Sequence, residues 1–128
     1  MNPLVLIVDD EPLTRNLLRL MLERANLDIL EAGDGLEALA VVAEKRPDLL
    51  ILDVMMPNMD GITVCETLRA QPETAVLPII LLSARTSTEA VRKGLNAGAN
   101  KYLTKPIGRE ELIRSVREVL NVTPQMSD

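Results

Sequence analysis

Five residues of this sequence carry groups that could work together chemically: Asp9, Asp10, Asp53, Ser83 and Lys105. Each stands at or just beyond the end of a run suited to a β-strand. Asp9 and Asp10 follow Leu4-Val5-Leu6-Ile7-Val8, Asp53 follows Leu49-Leu50-Ile51-Leu52, and Ser83 follows Leu77-Pro78-Ile79-Ile80-Leu81-Leu82. Lys105 follows Tyr102-Leu103-Thr104 and precedes Pro106, which restricts its backbone to extended conformations. Carboxylates ~4 Å apart repel by about 4 kcal/mol at an effective dielectric of about 20. Converging acids therefore raise one another's pKa unless a cation joins them. A small hard cation with oxygen ligands suits them, and Mg²⁺ also keeps waters and accepts phosphate oxygens. Taken singly, each group has a plainer reading. Asp9, Asp10 and Glu11 would be favourable negative charge at a helix N-terminus, Ser83 a helix cap, and Lys105 a solvated surface lysine. The order acid pair, acid, hydroxyl, lysine on successive strand ends favours one shared site.

The elements that must position these groups follow from apolar patterning. Continuous runs rich in Val, Ile and Leu suit strands buried on both faces of a parallel sheet. Strand-like runs recur at 4–8, 28–32, 48–53, 78–83 and 101–104, with helix-like segments between them. Five βα units predict a parallel sheet with helices on both faces, and ligands bind at the carboxyl edge of such sheets. Pro12 sits in the first turn of the first helix, whose apolar face is predicted to be Leu13, Leu17, Leu20 and Met21. Asp34 and Glu37 have capping-box spacing for the second helix, which presents Leu36, Leu39, Ala40 and Ala43 before Pro47 closes it. The third follows Asp60-Gly61 and carries Ile62, Val64, Cys65 and Leu68. Thr86 and Glu89 repeat the capping spacing for a thinly apolar fourth helix with Ala90, Val91, Gly94 and Leu95, ended by Gly98. The fifth shows Leu112, Val116, Val119 and Leu120. Met21 is read as core, and Met55, Met56 and Met59 as loop or site-rim residues.

Composition narrows the function classes. The chain has 128 residues, enough for one domain, expected over 1–122 with 123–128 as a flexible tail or the start of a linker. The core must be aliphatic, since Tyr102 is the lone aromatic residue among 47% apolar ones. A net charge of −5 with interspersed signs disfavours direct nucleic-acid binding. No apolar stretch suits a membrane span or a signal peptide, and the single Cys65, read as a buried inert thiol, fits a cytoplasmic protein. The absence of histidine excludes every His-based catalytic or metal site.

The motifs Val8-Asp9-Asp10-Glu11, Leu52-Asp53-Val54-Met55-Met56-Pro57, Met59-Asp60-Gly61, Leu82-Ser83-Ala84 and Tyr102-Leu103-Thr104-Lys105-Pro106 resemble those of the receiver domains of two-component response regulators. The resemblance covers roughly residues 4–121. It implies a flavodoxin-like, chemotaxis-type fold: a (βα)5 doubly wound sandwich with strand order 2-1-3-4-5. It further implies that Asp53 is the phosphoacceptor, taking a phosphoryl group from a phosphohistidine on a partner sensor histidine kinase or phosphotransfer protein. The cofactor implied is Mg²⁺, with Mn²⁺ as a substitute, bound by Asp10 and Asp53, by Asp9 partly through water, and by the backbone carbonyl of Met55. Lys105 would neutralise charge on the transferring group and Ser83 would donate to a phosphoryl oxygen. Inward movement of Ser83 would vacate space for Tyr102, changing the face formed by the fourth helix, fifth strand and fifth helix for an output domain or protein. Met55 and Arg85 would tune the phosphoryl lifetime, towards a moderately long-lived phosphoform.

The implied role is a signalling switch, monomeric or dimerising on phosphorylation, with only weak self-phosphorylation and dephosphorylation chemistry. A winged-helix subfamily pairs acids before the tyrosine with an arginine in the last helix across a dimer; Asn100, Lys101 and Ser115 occupy those places here, which speaks against that interface. A Mg²⁺-dependent phosphohydrolase would carry a second acid two residues after its nucleophile, where this chain has Met55. An interaction module that no longer accepts phosphate would not need the complete acid set, and a nucleotide-binding domain is disfavoured because no Gly-rich phosphate loop follows the first run.

Overall fold

The computed structural model describes residues 2–121; the tail expected at 123–128 lies outside them. Strands β1 (Leu4–Val8), β2 (Asp28–Ala32), β3 (Leu49–Asp53), β4 (Ile79–Ser83) and β5 (Lys101–Thr104) alternate with helices α1 (Pro12–Leu22), α2 (Gly35–Lys45), α3 (Gly61–Arg69), α4 (Thr88–Asn96) and α5 (Arg109–Asn121). All strand pairs are parallel, in the order β2-β1-β3-β4-β5 expected from the resemblance. The third and fourth strands begin one residue later than the runs predict.

Alternation along the central strands divides the core in two. Leu6, Val8, Leu50, Leu52, Ile79 and Leu81 face α2 and α3 through Ala38, Val42, Val64, Cys65 and Leu68. Val5, Ile7, Leu49, Ile51, Ile80 and Leu82 face α1 and α5 through Leu18, Leu22, Leu112, Val116 and Val119. Each of these Leu, Ile and Val side chains contributes roughly 1.5–3 kcal/mol on full burial. Together they hold the strand ends at fixed spacing.

Two helices bury a different face from the one predicted. In α1, Leu18 and Leu22 are buried, whereas Leu13, Leu17 and Leu20 are 81%, 52% and 53% exposed. The apolar residues spread over a broad arc, from Leu20 through Leu13, Leu17 and Met21 to Leu18 and Leu22, so periodicity admitted two stripes. The inward one, 15-18-19-22, contains two arginines, and both reach Glu31 on β2. In α2 the buried residues are Gly35, Ala38 and Val42, while Leu36 is 66% exposed. A Cβ on Gly35 would lie 2.9 Å from Val64 and 3.0 Å from Met59, so close packing there selects small residues with a weak hydrophobic signal. The Asp34 cap holds as predicted, accepting from Glu37 N at 2.8 Å. The fourth helix is capped by Ser87 rather than Thr86, with Ala90 N donating to its Oγ at 3.1 Å.

The departures at Asn100, Lys101 and Ser115 have local explanations. Asn100 Oδ1 accepts from Ile79 N at 2.8 Å and from Arg69 Nη2 at 3.2 Å. Lys101 pairs with Glu118 across β5 and α5, and Ser115 is buried.

Candidate functional site at the carboxyl edge of the sheet

β1 delivers Asp9 to the carboxyl edge of the sheet, fully buried. Its N–H continues the ladder to Ala32 O at 3.2 Å, and its Oδ1 accepts from Glu11 N at 2.9 Å. β3 delivers Asp53, 6% exposed, whose Oδ1 accepts weakly from Met55 N at 3.4 Å. One oxygen each of Asp9, Asp10 and Asp53 lies within 4.8 Å of the others. Lys105, from the end of β5, reaches across the edge: its Nζ is 3.0 Å from Asp9 Oδ2 and 3.2 Å from Asp53 Oδ1. The Lys105–Pro106 peptide is cis.

The electrostatics follow this geometry. Burial pushes the Asp53 carboxyl up; the Lys105 ammonium pulls it back and the Asp9 charge adds to the rise, leaving it above its ordinary value. Burial also disfavours charge on Lys105, but its hydrogen bond to Asp9 and the attraction of both acids outweigh that and raise its pKa. One ammonium thus holds two buried carboxylates that repel each other. The hard oxygen donors, clustered and only partly neutralised, fit a divalent cation.

The remaining expected residues join through one backbone segment. Ser83 is fully buried at the end of β4, and its Oγ accepts from Arg85 N at 3.1 Å. Tyr102 is half-buried, with its hydroxyl donating to Arg85 O at 2.9 Å. Residue 85 therefore connects the two hydroxyls through its main chain. The Tyr102 ring lies against Gly94 of α4, where a Cβ would come 2.7 Å from a ring carbon. Gly94 is the one buried residue of that helix, which agrees with its thin apolar pattern.

Met55 is 49% exposed at the rim, as read, but Met56 is 7% exposed and belongs to the core beside Ile62 and Cys65. The turn after β3 sends alternate side chains out and in, so two adjacent methionines have opposite fates. Cys65 is buried, with its thiol 3.3 Å from Ala97 O and its pKa pushed up by burial.

Two supports of the site were not read from the sequence: the packing role of Gly61, which was named only within a motif, and Arg15 altogether. Gly61 opens α3 against the end of β3: a Cβ there would lie 2.4 Å from Asp53 O, and Gly61 N donates to Val54 O at 2.8 Å. Arg15 donates from Nη1 to Asp9 O at 2.7 Å and from Nε to Glu31 Oε1 at 2.9 Å. The i, i+4 spacing of Arg15 and Arg19 was visible, but Glu31 as their partner was not.

Residues 5–117 match the family model described as response regulator receiver domain. The chain is a response regulator receiver domain. This receiver is 44% identical over 124 residues to the response regulator MprA of Mycobacterium avium, covering 97% of this chain and 54% of that protein. It is 39% identical over 124 residues to RpaA of Synechocystis, a DNA-binding dual master transcriptional regulator, covering 97% of this chain and 52% of that one. The chain spans about half the length of the curated relatives it matches. Among solved structures, the receiver is similar to Vibrio cholerae chemotaxis protein CheY4 (TM-score 0.88, 34% identity, 93% of this chain and 99% of that one). It also resembles a Francisella response regulator receiver domain (TM-score 0.88, 38% identity, 94% and 98%). No helix among the described residues is long and apolar enough to cross a membrane.

Proposed function

We propose that this receiver accepts a phosphoryl group on Asp53 and, once modified, changes the surface carried by α4, β5 and α5. The observation that carries this reading is the Lys105 ammonium bridging Asp9 and Asp53 at an edge where three carboxylates converge. A carboxylate oxygen of Asp53 attacks phosphorus as the donor's N–P bond breaks, and the departing electron pair stays on the donor imidazole nitrogen, which takes up a proton. Lys105 lies within reach of both Asp53 and the developing charge. Mg²⁺ would be held by Asp9, Asp10, Asp53 and the Met55 carbonyl, with Mn²⁺ as a substitute, and supplies charge neutralisation when bound.

The Ser83–Arg85–Tyr102 connection supports the switch. A Ser83 hydroxyl turned toward a phosphoryl oxygen no longer accepts from Arg85 N, and residue 85 is also the acceptor for Tyr102. Loosening that segment frees the ring to move against Gly94 and α4, an element with little buried surface. Met55 and Arg85, exposed beside the site, limit the approach of water and lengthen the phosphoryl lifetime.

The donor in this reading is a sensor histidine kinase or phosphotransfer protein in the cytoplasm, and the recipient of the signal an output domain or protein. The exposed row Leu13, Leu17 and Leu20 starts just past Glu11, at the mouth of the site, and suits an apolar face of the donor. Incubation with acetyl phosphate and Mg²⁺ followed by intact mass tests the core of the reading. One added phosphoryl group, absent in Asp53→Asn, is expected; an unmodified wild type would favour a pure interaction module.

A further inference from the structure

Outside the acids and Lys105, the site has a second set of charges: Arg15 and Arg19 on α1, and Glu31 on β2. Glu31 pairs with Ile7 in the β1–β2 register, so its side chain leaves the sheet on the face that α1 covers. Its two oxygens are divided between the arginines: Oε1 takes Arg15 Nε at 2.9 Å and Oε2 takes Arg19 Nη1 at 2.7 Å. Burial opposes ionisation of Glu31, but the two guanidinium groups outweigh it and hold the carboxyl below its ordinary value. Glu31 is thus a fixed anion, and it orients Arg15. The free end of the Arg15 fork, Nη1, donates to Asp9 O at 2.7 Å.

The position of that oxygen matters. The Asp9 carbonyl belongs to the peptide joining Asp9 to Asp10, and the β1–β2 pairing stops at Val8 and Ala32. Among the described residues no strand partner is left to fix this peptide plane, whose orientation bears on where both adjacent carboxylates point. We infer that Arg15 is a positioning residue that holds the Asp9–Asp10 peptide, and with it both carboxylates, in the arrangement that binds a divalent cation, with Glu31 and Arg19 fixing its fork. The inference rests on the cation-binding reading given above, and adds residues that touch neither cation nor phosphoryl group.

Two effects of removing Arg15 have opposite signs, which makes the inference decidable. Loss of a cation near three carboxylates strengthens the attraction for Mg²⁺. Loss of the clamp weakens binding, because outer residues that orient ligands change metal affinity by about 10–100-fold. Mg²⁺ titrations of wild type, Arg15→Met and Arg15→Lys, followed through backbone amide NMR shifts of the folded protein, separate them. The expected result is an Mg²⁺ Kd weaker by about tenfold in Arg15→Met. Arg15→Lys, which keeps the charge without the fork, should fall between it and wild type. Small-donor phosphorylation of Arg15→Met should need more Mg²⁺ for half-saturation and recover its maximal rate in excess Mg²⁺. An unchanged or tighter Kd in Arg15→Met overturns the inference, including when its Tm falls, since that pattern marks a merely structural residue. If Arg15→Met does not fold, an Arg15→Lys Kd equal to wild type overturns it. A wild type that binds no Mg²⁺ overturns the parent reading instead.

Discussion

The two edges of the sheet use polar side chains differently. At the amino edge they serve the backbone. Asp48 Oδ2 accepts from Leu4 N at 2.7 Å, Asn100 Oδ1 accepts from Ile79 N, and Arg69 donates to Gly98 O at 2.9 Å and Thr74 O at 3.1 Å. A broad groove lies at that edge, lined in part by Leu39, Val42, Val76, Leu77 and Pro78, but no acidic cluster lies there among the described residues. At the carboxyl edge Asp9, Asp53 and Lys105 meet one another, and like charges are held together by one ammonium. Concavity is thus a poor guide to the chemistry here. The polar side chains of the amino edge are spent on backbone groups, while the carboxyl edge also gathers three carboxylates around one ammonium, a donor set that fits a divalent cation.

Substitutions at the two edges should separate these roles. The largest effect is expected for Lys105→Met, which leaves two buried carboxylates without their counter-charge. Loss of one partner of a buried ion pair costs about 3 kcal/mol or more. Chemical denaturation should show that loss, and added Mg²⁺ should stabilise this variant more than wild type, because the cation takes over the neutralising role. Equal stabilisation of both proteins would argue that the acids do not share a cation.

Arg69→Met at the amino edge should cost about 2 kcal/mol, since it leaves acceptors at Gly98, Thr74 and Asn100 short of a donor. Its folded fraction should accept a phosphoryl group at the wild-type rate. A slowed reaction would mean that the edges are coupled.

A smaller change of opposite sign is expected at Asp53. Its folded-state pKa is raised, so its contribution to stability is present below the ordinary carboxylate value and lost as pH rises through the folded one. At neutral pH the ionised group weighs against the fold. Asp53→Asn should therefore melt at a higher temperature than wild type at pH 7, and the difference should shrink on acidification. A lower Tm for the variant at pH 7 would show that Lys105 more than offsets the burial.

The smallest stability effect belongs to Leu17→Gln on the exposed face of α1, within about 0.5 kcal/mol of wild type. Its ratio of phosphorylation rate from a protein donor to that from acetyl phosphate should nevertheless fall several-fold. An unchanged ratio would remove α1 from the docking surface.

The central strands and the site they carry were legible in the chain alone. Leu4–Val8, Leu49–Asp53 and Ile79–Ser83 are buried throughout or nearly so, and a strand apolar on both faces has few alternative placements. These three lead to Asp9, Asp53 and Ser83, and with Lys105 after the fifth run the four groups could be assigned to one edge from their order. The same linear signal could not choose which face of α1 or α2 turns inward. α1 offers leucines over a broad arc, and the face it turns inward combines Leu18 and Leu22 in the core with Arg15 and Arg19 meeting Glu31 on the following strand. α2 is seated by Gly35 against Val64 and Met59, and Met56 turns inward where its neighbour Met55 turns out.

Hydrophobic runs and strand-end chemistry are properties of consecutive residues, so the sequence by itself determined the strands, the two-sided burial of β1, β3 and β4, and the set of groups at the edge. Helix facing, the reach of Lys105 to two acids, and the Arg15 hydrogen bond to the Asp9 carbonyl depend on contacts between different elements, whether near in the chain, as Arg15 and Asp9, or far, as Lys105 and Asp9. Only the tertiary structure decided those, because pair distances and close packing exist only once the sheet is assembled.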